Sequence, residues 1–202
     1  MAEPATVSLK QFNRAAVLPY GLKIKHVCEA MNSFLDFIGF INTQLGTRSI
    51  QPLECMLMPA NFSSIVGEFM TSSIPRHCPT LVKNQYHNGH PDLIPPNTYP
   101  NNACQYGHKG IEIKASRYLQ GWQGHNAEAS FLIVFCYESG RPTDEIKKIA
   151  PKPFRFLLVC GAKLELSDWT FTGRSETSRR TITAAVNRTG YEKMINNWIF
   201  RA

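Results

Sequence analysis

The stretch "SFLIVFCY", residues 130–137, decides the fold, because every position from Phe131 to Tyr137 is aliphatic, aromatic or cysteine. The stretch "FRFLLVCGA", residues 154–162, has a similar character, and "GIEIKA", residues 110–115, alternates apolar and charged side chains. Short runs of β-branched and aromatic residues predict strands. A strand that is apolar on both faces belongs to a sheet that is covered on both sides. We therefore predict strands at Gly110–Ala115, Ser130–Tyr137 and Phe154–Ala162 in one central sheet.

Helical patterns precede and follow these strands. Apolar residues recur at three- and four-residue steps from Leu22 to Leu45, and a shorter amphipathic pattern runs from Asn61 to Met70. Residues 72–106 are rich in proline, asparagine and histidine, which predicts mostly irregular structure with a short extended segment near Asp92. A last helix is predicted from Tyr191 to Phe200. The predicted fold class is α/β, with a central mixed β-sheet flanked by helices.

Length and composition indicate the number of domains and the class of partner. A chain of 202 residues suits a single domain over residues 1–202, with an N-terminal helical segment at about residues 20–72. The 22 Lys and Arg residues against 15 Asp and Glu give a net charge of +7, which favours a polyanionic partner. No apolar run approaches the ~18 residues of a membrane span, and no signal peptide is recognisable, so we expect a cytoplasmic protein without a membrane partner.

The six cysteines are scattered along the chain without a CxxC pair, and Cys136 and Cys160 lie within apolar runs. This pattern favours buried free thiols over disulfides or a zinc knuckle.

The triplet Glu112-Ile113-Lys114 carries the first candidate chemistry. Alternate residues of a strand point to opposite faces, so Glu112 and Lys114 share one face while Ile111 and Ile113 share the other. An exposed edge strand would show the same pattern, and the triplet gains meaning from Asp92 upstream. Asp92, Glu112 and the carbonyl of Ile113 offer three hard oxygen ligands to Mg²⁺. Lys114 could orient or help deprotonate an attacking water and offset charge that builds at phosphorus.

Pro91-Asp92, a gap of 19 residues and Glu112-Ile113-Lys114 together resemble the motif of the PD-(D/E)XK nuclease superfamily. The size, the basic charge and the apolar strand that follows are similar to those of a small type II restriction endonuclease of that superfamily. The resemblance implies a restriction-endonuclease-like core and Mg²⁺-dependent, sequence-specific hydrolysis of double-stranded DNA, with Asp92, Glu112 and Lys114 as catalytic residues.

Several members of the superfamily carry a further acid on a helix before the Asp strand, and Glu68 occupies such a place. A surface glutamate is the alternative for Glu68, and Glu54, outside the predicted helices, is the weaker candidate for the role.

Two segments are candidates for DNA contact. The loop after the triplet is dense in side chains that hydrogen-bond to base edges or stack on bases: Arg117, Tyr118, Gln120, Trp122, Gln123, His125 and Asn126. A later cluster mixes guanidinium and hydroxyl groups, which suit phosphate oxygens: Arg174, Ser178, Arg179, Arg180 and Arg188. Capping, solubility and ordinary surface exposure remain alternatives for both segments.

Other interpretations stay open. "HNGH" at residues 87–90 resembles part of an HNH nuclease motif, but no further histidine follows at a suitable interval. A zinc site from His77, Cys78, His87 and His90 is conceivable despite irregular spacing. The chain could also be a basic nucleic-acid-binding protein without catalysis, or a repair nuclease of the same superfamily that cuts by DNA structure. A restriction enzyme with one site per chain would most simply cut both strands as a homodimer.

Overall fold

The computed structural model describes residues 4–124, 126–150, 152–172 and 183–202. Within these residues there are five α-helices, α1 to α5, at Ile24–Gly46, Leu53–Met56, Pro59–His77, Pro142–Ile146 and Arg188–Asn196. Nine strands, β1 to β9, lie at Val82–Lys83, Leu93–Ile94, Ile111–Ser116, Gln123–Gly124, Phe131–Glu138, Arg155–Lys163, Trp169–Thr172, Thr183–Val186 and Trp198–Arg201. None of the helices in the described ranges combines the length and the apolar character needed to cross a bilayer.

A mixed sheet of six strands forms the centre of the protein, in the order β1-β2-β3-β5-β6-β9. Strands β3 and β5 pair in parallel, whereas the other neighbours pair antiparallel. A second sheet of three strands has the order β4-β8-β7. The predicted fold class, a central mixed sheet flanked by helices, is confirmed.

The packing of both faces of strand β5 explains why its sequence is apolar throughout. Ile133, Phe135 and Tyr137 pack in one core with residues of α1 and α3. The alternate residues Val134 and Cys136 pack in a second core with residues of the small sheet and α5. Each face of the central sheet is therefore covered, as a strand with an uninterrupted apolar run requires.

The N-terminal helices follow the predicted pattern, with one extension. Helix α1 begins two residues after the predicted start and ends one residue after the predicted end, while α3 continues to His77, seven residues past the predicted end. Pro59 stands in its first turn, where the missing N–H costs no helical bond. Ser73 and Ile74 are buried, and this packing keeps the last turns helical in a region that the sequence predicted to be irregular.

The C-terminal prediction is partly wrong. Helix α5 begins at Arg188 and ends at Asn196, and the chain then enters β9 instead of continuing as a helix to Phe200. Ile199 and Phe200 are fully buried, and β9 pairs with β6 at what would otherwise be an open edge of the sheet. Pairing of that edge gives β6 a partner for its backbone groups, which a helix could not supply.

The cysteines match their prediction. All six are free thiols; Cys104 is partly exposed and the other five are buried. Burial raises the pKa of the Cys136 thiol to about 12, which leaves it protonated and unreactive at neutral pH.

Candidate functional site

Strands β2 and β3 bring Asp92 and Glu112 side by side. Leu93 pairs with Ile111 in antiparallel register, so the residue before Leu93 faces the residue after Ile111. Asp92 is fixed further because its Oδ2 accepts a hydrogen bond of 2.8 Å from the backbone N–H of Ile113. The two carboxyl groups of the motif therefore lie side by side where the inner strands β2 and β3 pair.

Glu112 stands between two basic side chains. The Lys114 Nζ donates to Glu112 Oε1 at 2.9 Å, and His90 Nδ1 lies 2.8 Å from Glu112 Oε2. Burial alone would raise the pKa of Glu112, but the charge of Lys114 and the contact with His90 outweigh it and lower the pKa to about 2. Glu112 is therefore ionised in the absence of any metal.

The pKa of Asp92 moves in the opposite direction. Burial and the neighbouring charge of Glu112 raise the pKa of Asp92 to about 8. Because Asp92 is buried beside the ionised Glu112, and the charge of Lys114 does not offset both effects, the carboxyl group of Asp92 favours the protonated form. This pair is a place where a divalent cation would relieve repulsion.

Lys114 is held as a cation. Burial would lower the pKa of Lys114, but the charges of Glu112 and Glu128 outweigh this and raise it. The Nζ lies 2.9 Å from Glu112 and 3.8 Å from Glu128 Oε2. The Lys114 side chain is 19% exposed and lines a cleft in the surface.

His90 and Glu128 belong to this cluster although neither was predicted as part of it. His90 Nδ1 lies 3.7 Å from Glu128 Oε1. Burial would lower the pKa of His90, yet its hydrogen bond with Glu112 and the nearby carboxylates raise it. Potential ligand atoms of His90, Glu112 and Glu128 all lie within 4.8 Å of one another. The position of His90 beside Pro91-Asp92 is a local signal, whereas Glu128 has none.

The zinc alternative does not assemble. His77 Nε2 lies 3.3 Å from Ser33 Oγ on α1, and Cys78 Sγ lies 3.2 Å from Thr80 Oγ1. Among the described residues, His90 groups with two glutamates rather than with these side chains.

A cleft opens directly over the cluster. Its volume is about 830 Å³, and its walls include Asp92, Glu112, Lys114 and Glu128 together with the segment Lys83–His90. An adjoining hollow of about 470 Å³ shares Asp92, Glu112 and Lys114 and extends along α3. The acidic and basic groups therefore face a space large enough to admit part of a polymer backbone.

The two further acids differ in their surroundings. Glu68 on α3 lines both hollows, and its Oε2 accepts a hydrogen bond of 2.9 Å from Lys83 Nζ. Glu54 lies in α2, within a helix rather than outside one, and is buried. Its Oε2 accepts from Asn42 Nδ2 at 2.9 Å, so Glu54 belongs to the fold.

The predicted DNA-reading loop divides into exposed and buried residues. Tyr118 is 68% exposed, Gln120 is also exposed, and Gln123 and Asn126 line the hollows over the cluster. Trp122, by contrast, is 3% exposed and packs against Tyr191. The prediction that Trp122 faces DNA is therefore corrected, since its indole belongs to the second core.

Arg117 is also part of the fold. Its guanidinium donates to the backbone carbonyls of Ser139 and Gly140 at 3.0 and 2.9 Å, and it lies over the rings of Phe62 and Tyr137. A base contact would break these bonds, so this prediction is corrected as well.

The remaining predicted DNA contacts are only partly described. Arg188 is exposed on α5, where its Nε donates to Glu192 Oε1 at 2.9 Å. His125, Arg174, Ser178, Arg179 and Arg180 lie outside the described residues.

No family model matches this chain, and no curated protein or solved structure is significantly similar to it.

Proposed function

We propose that this protein is a Mg²⁺-dependent endonuclease that hydrolyses phosphodiester bonds of double-stranded DNA at a specific sequence, as type II restriction enzymes do. One observation carries the proposal. Asp92, Glu112 and Lys114 lie together where β2 pairs with β3, and they line the same cleft. Their order and spacing resemble those of the PD-(D/E)XK motif.

The donor set fits Mg²⁺. The carboxylates of Asp92 and Glu112 and the backbone carbonyl of Ile113 are hard oxygen donors, and Mg²⁺ completes such a partial set with water and phosphate oxygens. When bound, Mg²⁺ supplies positive charge that polarises the scissile phosphate and promotes deprotonation of the attacking water. The carboxyl pair would bind such an ion with less mutual repulsion than it has alone.

Lys114 is assigned a charge-stabilising role in this proposal. Its raised pKa keeps the ammonium group protonated, so Lys114 donates hydrogen bonds and does not take a proton from water. Glu112 holds the ammonium at 2.9 Å. A cation fixed in this position beside the proposed metal ligands stabilises charge that grows on the phosphate oxygens in the transition state.

His90 and the backbone N–H of Ile113 hold the two metal-binding carboxylates in place. His90, at 2.8 Å from Glu112 Oε2, fixes the orientation of that carboxylate. The N–H of Ile113 holds Asp92 in the same way. Ligands that are oriented by hydrogen bonds from neighbouring groups bind a metal more tightly than ligands without such partners.

Charge and the polar walls of the cleft support a polyanionic polymer as the substrate. The net charge of +7 favours a polyanion, and Lys83 and Asn126 add polar groups to the walls of the cleft. Of the predicted loop residues that the structure describes, Tyr118, Gln120, Gln123 and Asn126 stay candidates for base contact. With one site in each chain, cutting of both strands calls for a twofold homodimer. An enzyme of this type would act in the cytoplasm.

The test is cleavage of a long natural DNA, prepared with and without base modification, in Mg²⁺ or in EDTA. Discrete fragments that form only with Mg²⁺ are expected. Glu112→Gln should abolish them, whereas Glu138→Gln, at a surface carboxylate paired with Lys152 at 3.2 Å, should cleave normally.

Other outcomes separate the alternatives. Cleavage confined to branched or damaged DNA would indicate a structure-specific repair nuclease. Retardation of DNA without cleavage under any of these conditions would indicate a binding protein and refute the proposal, as would normal cleavage by Glu112→Gln.

A further inference from the structure

Glu128 is held firmly in a loop that is not part of the motif. Its backbone carbonyl accepts a hydrogen bond of 3.1 Å from the indole of Trp169, and the next carbonyl, that of Ala129, accepts one of 2.6 Å from Lys163. The Glu128 side chain is only 13% exposed and reaches towards His90 and Lys114. The fold thus places a carboxylate beside the proposed Mg²⁺ ligands.

We propose that His90, Glu112 and Glu128 form a second divalent-cation site, specific for a first-row transition metal such as Zn²⁺, Co²⁺ or Mn²⁺. This proposal goes beyond the nuclease function, because it assigns a different ion to a different set of side chains. The two sets share Glu112, but Asp92 belongs only to the oxygen set.

The distances suit coordination after a small adjustment. Metal–ligand bonds of ~2.0 to 2.2 Å place two ligand atoms of a tetrahedral ion about 3.3 to 3.6 Å apart. Ligand atoms of His90, Glu112 and Glu128 lie within 4.8 Å of one another. Side-chain movements of about 1 Å would therefore bring all three to one ion.

The donor types select the class of metal. An imidazole nitrogen beside two carboxylate oxygens suits Zn²⁺, Co²⁺ and Mn²⁺, whereas Mg²⁺ prefers oxygen throughout. Three protein ligands leave at least one coordination position open, which is typical of catalytic rather than structural zinc sites. The cleft of about 830 Å³ over these residues gives water or a phosphate oxygen access to that position.

The experiment titrates the purified protein with Co²⁺ in the absence of DNA and follows the visible absorption of the bound ion. His90→Gln and Glu128→Gln should each weaken Co²⁺ binding by about 10-fold or more, because even loss of a supporting partner commonly costs that much. Asp92→Asn should retain Co²⁺ binding. His87→Gln is a matched control, because His87 lines the same cleft outside the set.

Three results would overturn the inference. They are the absence of Co²⁺ binding by the unmodified protein, unchanged affinity in both His90→Gln and Glu128→Gln, and an equal loss of affinity in Asp92→Asn. Circular dichroism melting checks that each variant folds, and Glu128→Gln still decides the matter if His90→Gln does not fold. Because DNA is absent, a protein that cuts DNA but fails this test loses only the second site, and one that binds Co²⁺ but cuts no DNA loses only the nuclease function.

Discussion

Replacing Lys114 by alanine should affect both chemistry and stability. Lys114 Nζ lies 2.9 Å from Glu112 and 3.8 Å from Glu128, and the side chains of Lys114 and Glu112 are only 19% and 12% exposed. Removing one partner of a buried pair costs about 3 to 5 kcal/mol, because the other charge stays buried and uncompensated. Because the pair is partly exposed, we expect a loss of unfolding free energy at the lower end of this range, about 3 kcal/mol. For a chain of this size that corresponds to a melting temperature roughly 6 to 12 °C lower.

The rate of cleavage should fall more than the affinity for DNA. An ammonium group that meets charge developing in the transition state contributes to the rate rather than to ground-state binding. Loss of one such group commonly lowers a rate by about 10² to 10³. Mg²⁺ should recover part of the lost stability, because the ion compensates the carboxylates that Lys114 leaves behind.

The assay combines single-turnover cleavage of a plasmid in Mg²⁺, a DNA-binding titration in Ca²⁺, and thermal unfolding with and without Mg²⁺. Lys152→Ala is the matched control, because Lys152 pairs with Glu138 at 3.2 Å on the surface and is 64% exposed. Exposed pairs contribute little to stability, so this variant should melt and cleave like the unmodified protein. Normal cleavage by Lys114→Ala would refute the catalytic role, and a melting temperature equal to that of Lys152→Ala would refute the electrostatic argument.

Three further substitutions test other parts of the site. Asp92→Asn should abolish cleavage and fold normally. Because the folded-state pKa of Asp92 is raised to about 8, the metal-free unmodified protein should lose stability relative to this variant as pH rises from about 4 to about 8, measurable by denaturant unfolding. Gly124→Ala should lower the single-turnover rate, by up to about 10², since a methyl group there would come within 3.3 Å of Lys114 Cε. Arg117→Ala should lower the free energy of unfolding by about 2 kcal/mol or more, because two buried backbone carbonyls lose a charged donor; thermal melting checks this.

The long apolar strands were predictable because their signal is local. Strands β3, β5 and β6 begin and end within one residue of the predicted bounds. Strand β2, at Leu93–Ile94, matches the short extended segment predicted near Asp92. Strand β1, of two residues, is too short for a pattern of its own and forms through pairing of Val82 with Ile94 and Lys83 with Leu93. Strand β9 was missed for a related reason. Its apolar residues fit a helix equally well, and only the distant edge of β6 makes the extended form better.

The loop at residues 117–126 shows where composition misleads. A segment that contains Arg117, Gln120, Trp122 and Gln123 resembles a surface that reads bases, but local sequence does not say which side chains the rest of the fold will bury. Residues of α5 and the small sheet bury Trp122 in the second core. The backbone carbonyl of Ser139, just after β5, accepts a hydrogen bond from Arg117. Both contacts join residues far apart in the chain.

Glu128 lies at the site because β3 and β5 pair in parallel. Antiparallel neighbours alone would place the start of β5 at the far end of β3, away from Asp92. In the parallel register Ile111 lies opposite Phe131, so β3 and β5 begin at the same end of the sheet. Glu128 precedes Phe131 by three residues and therefore lies near the end of β3 that carries Glu112. The motif predicted the carboxyl pair through its spacing, whereas this third carboxylate depends on a crossover that local patterns do not encode.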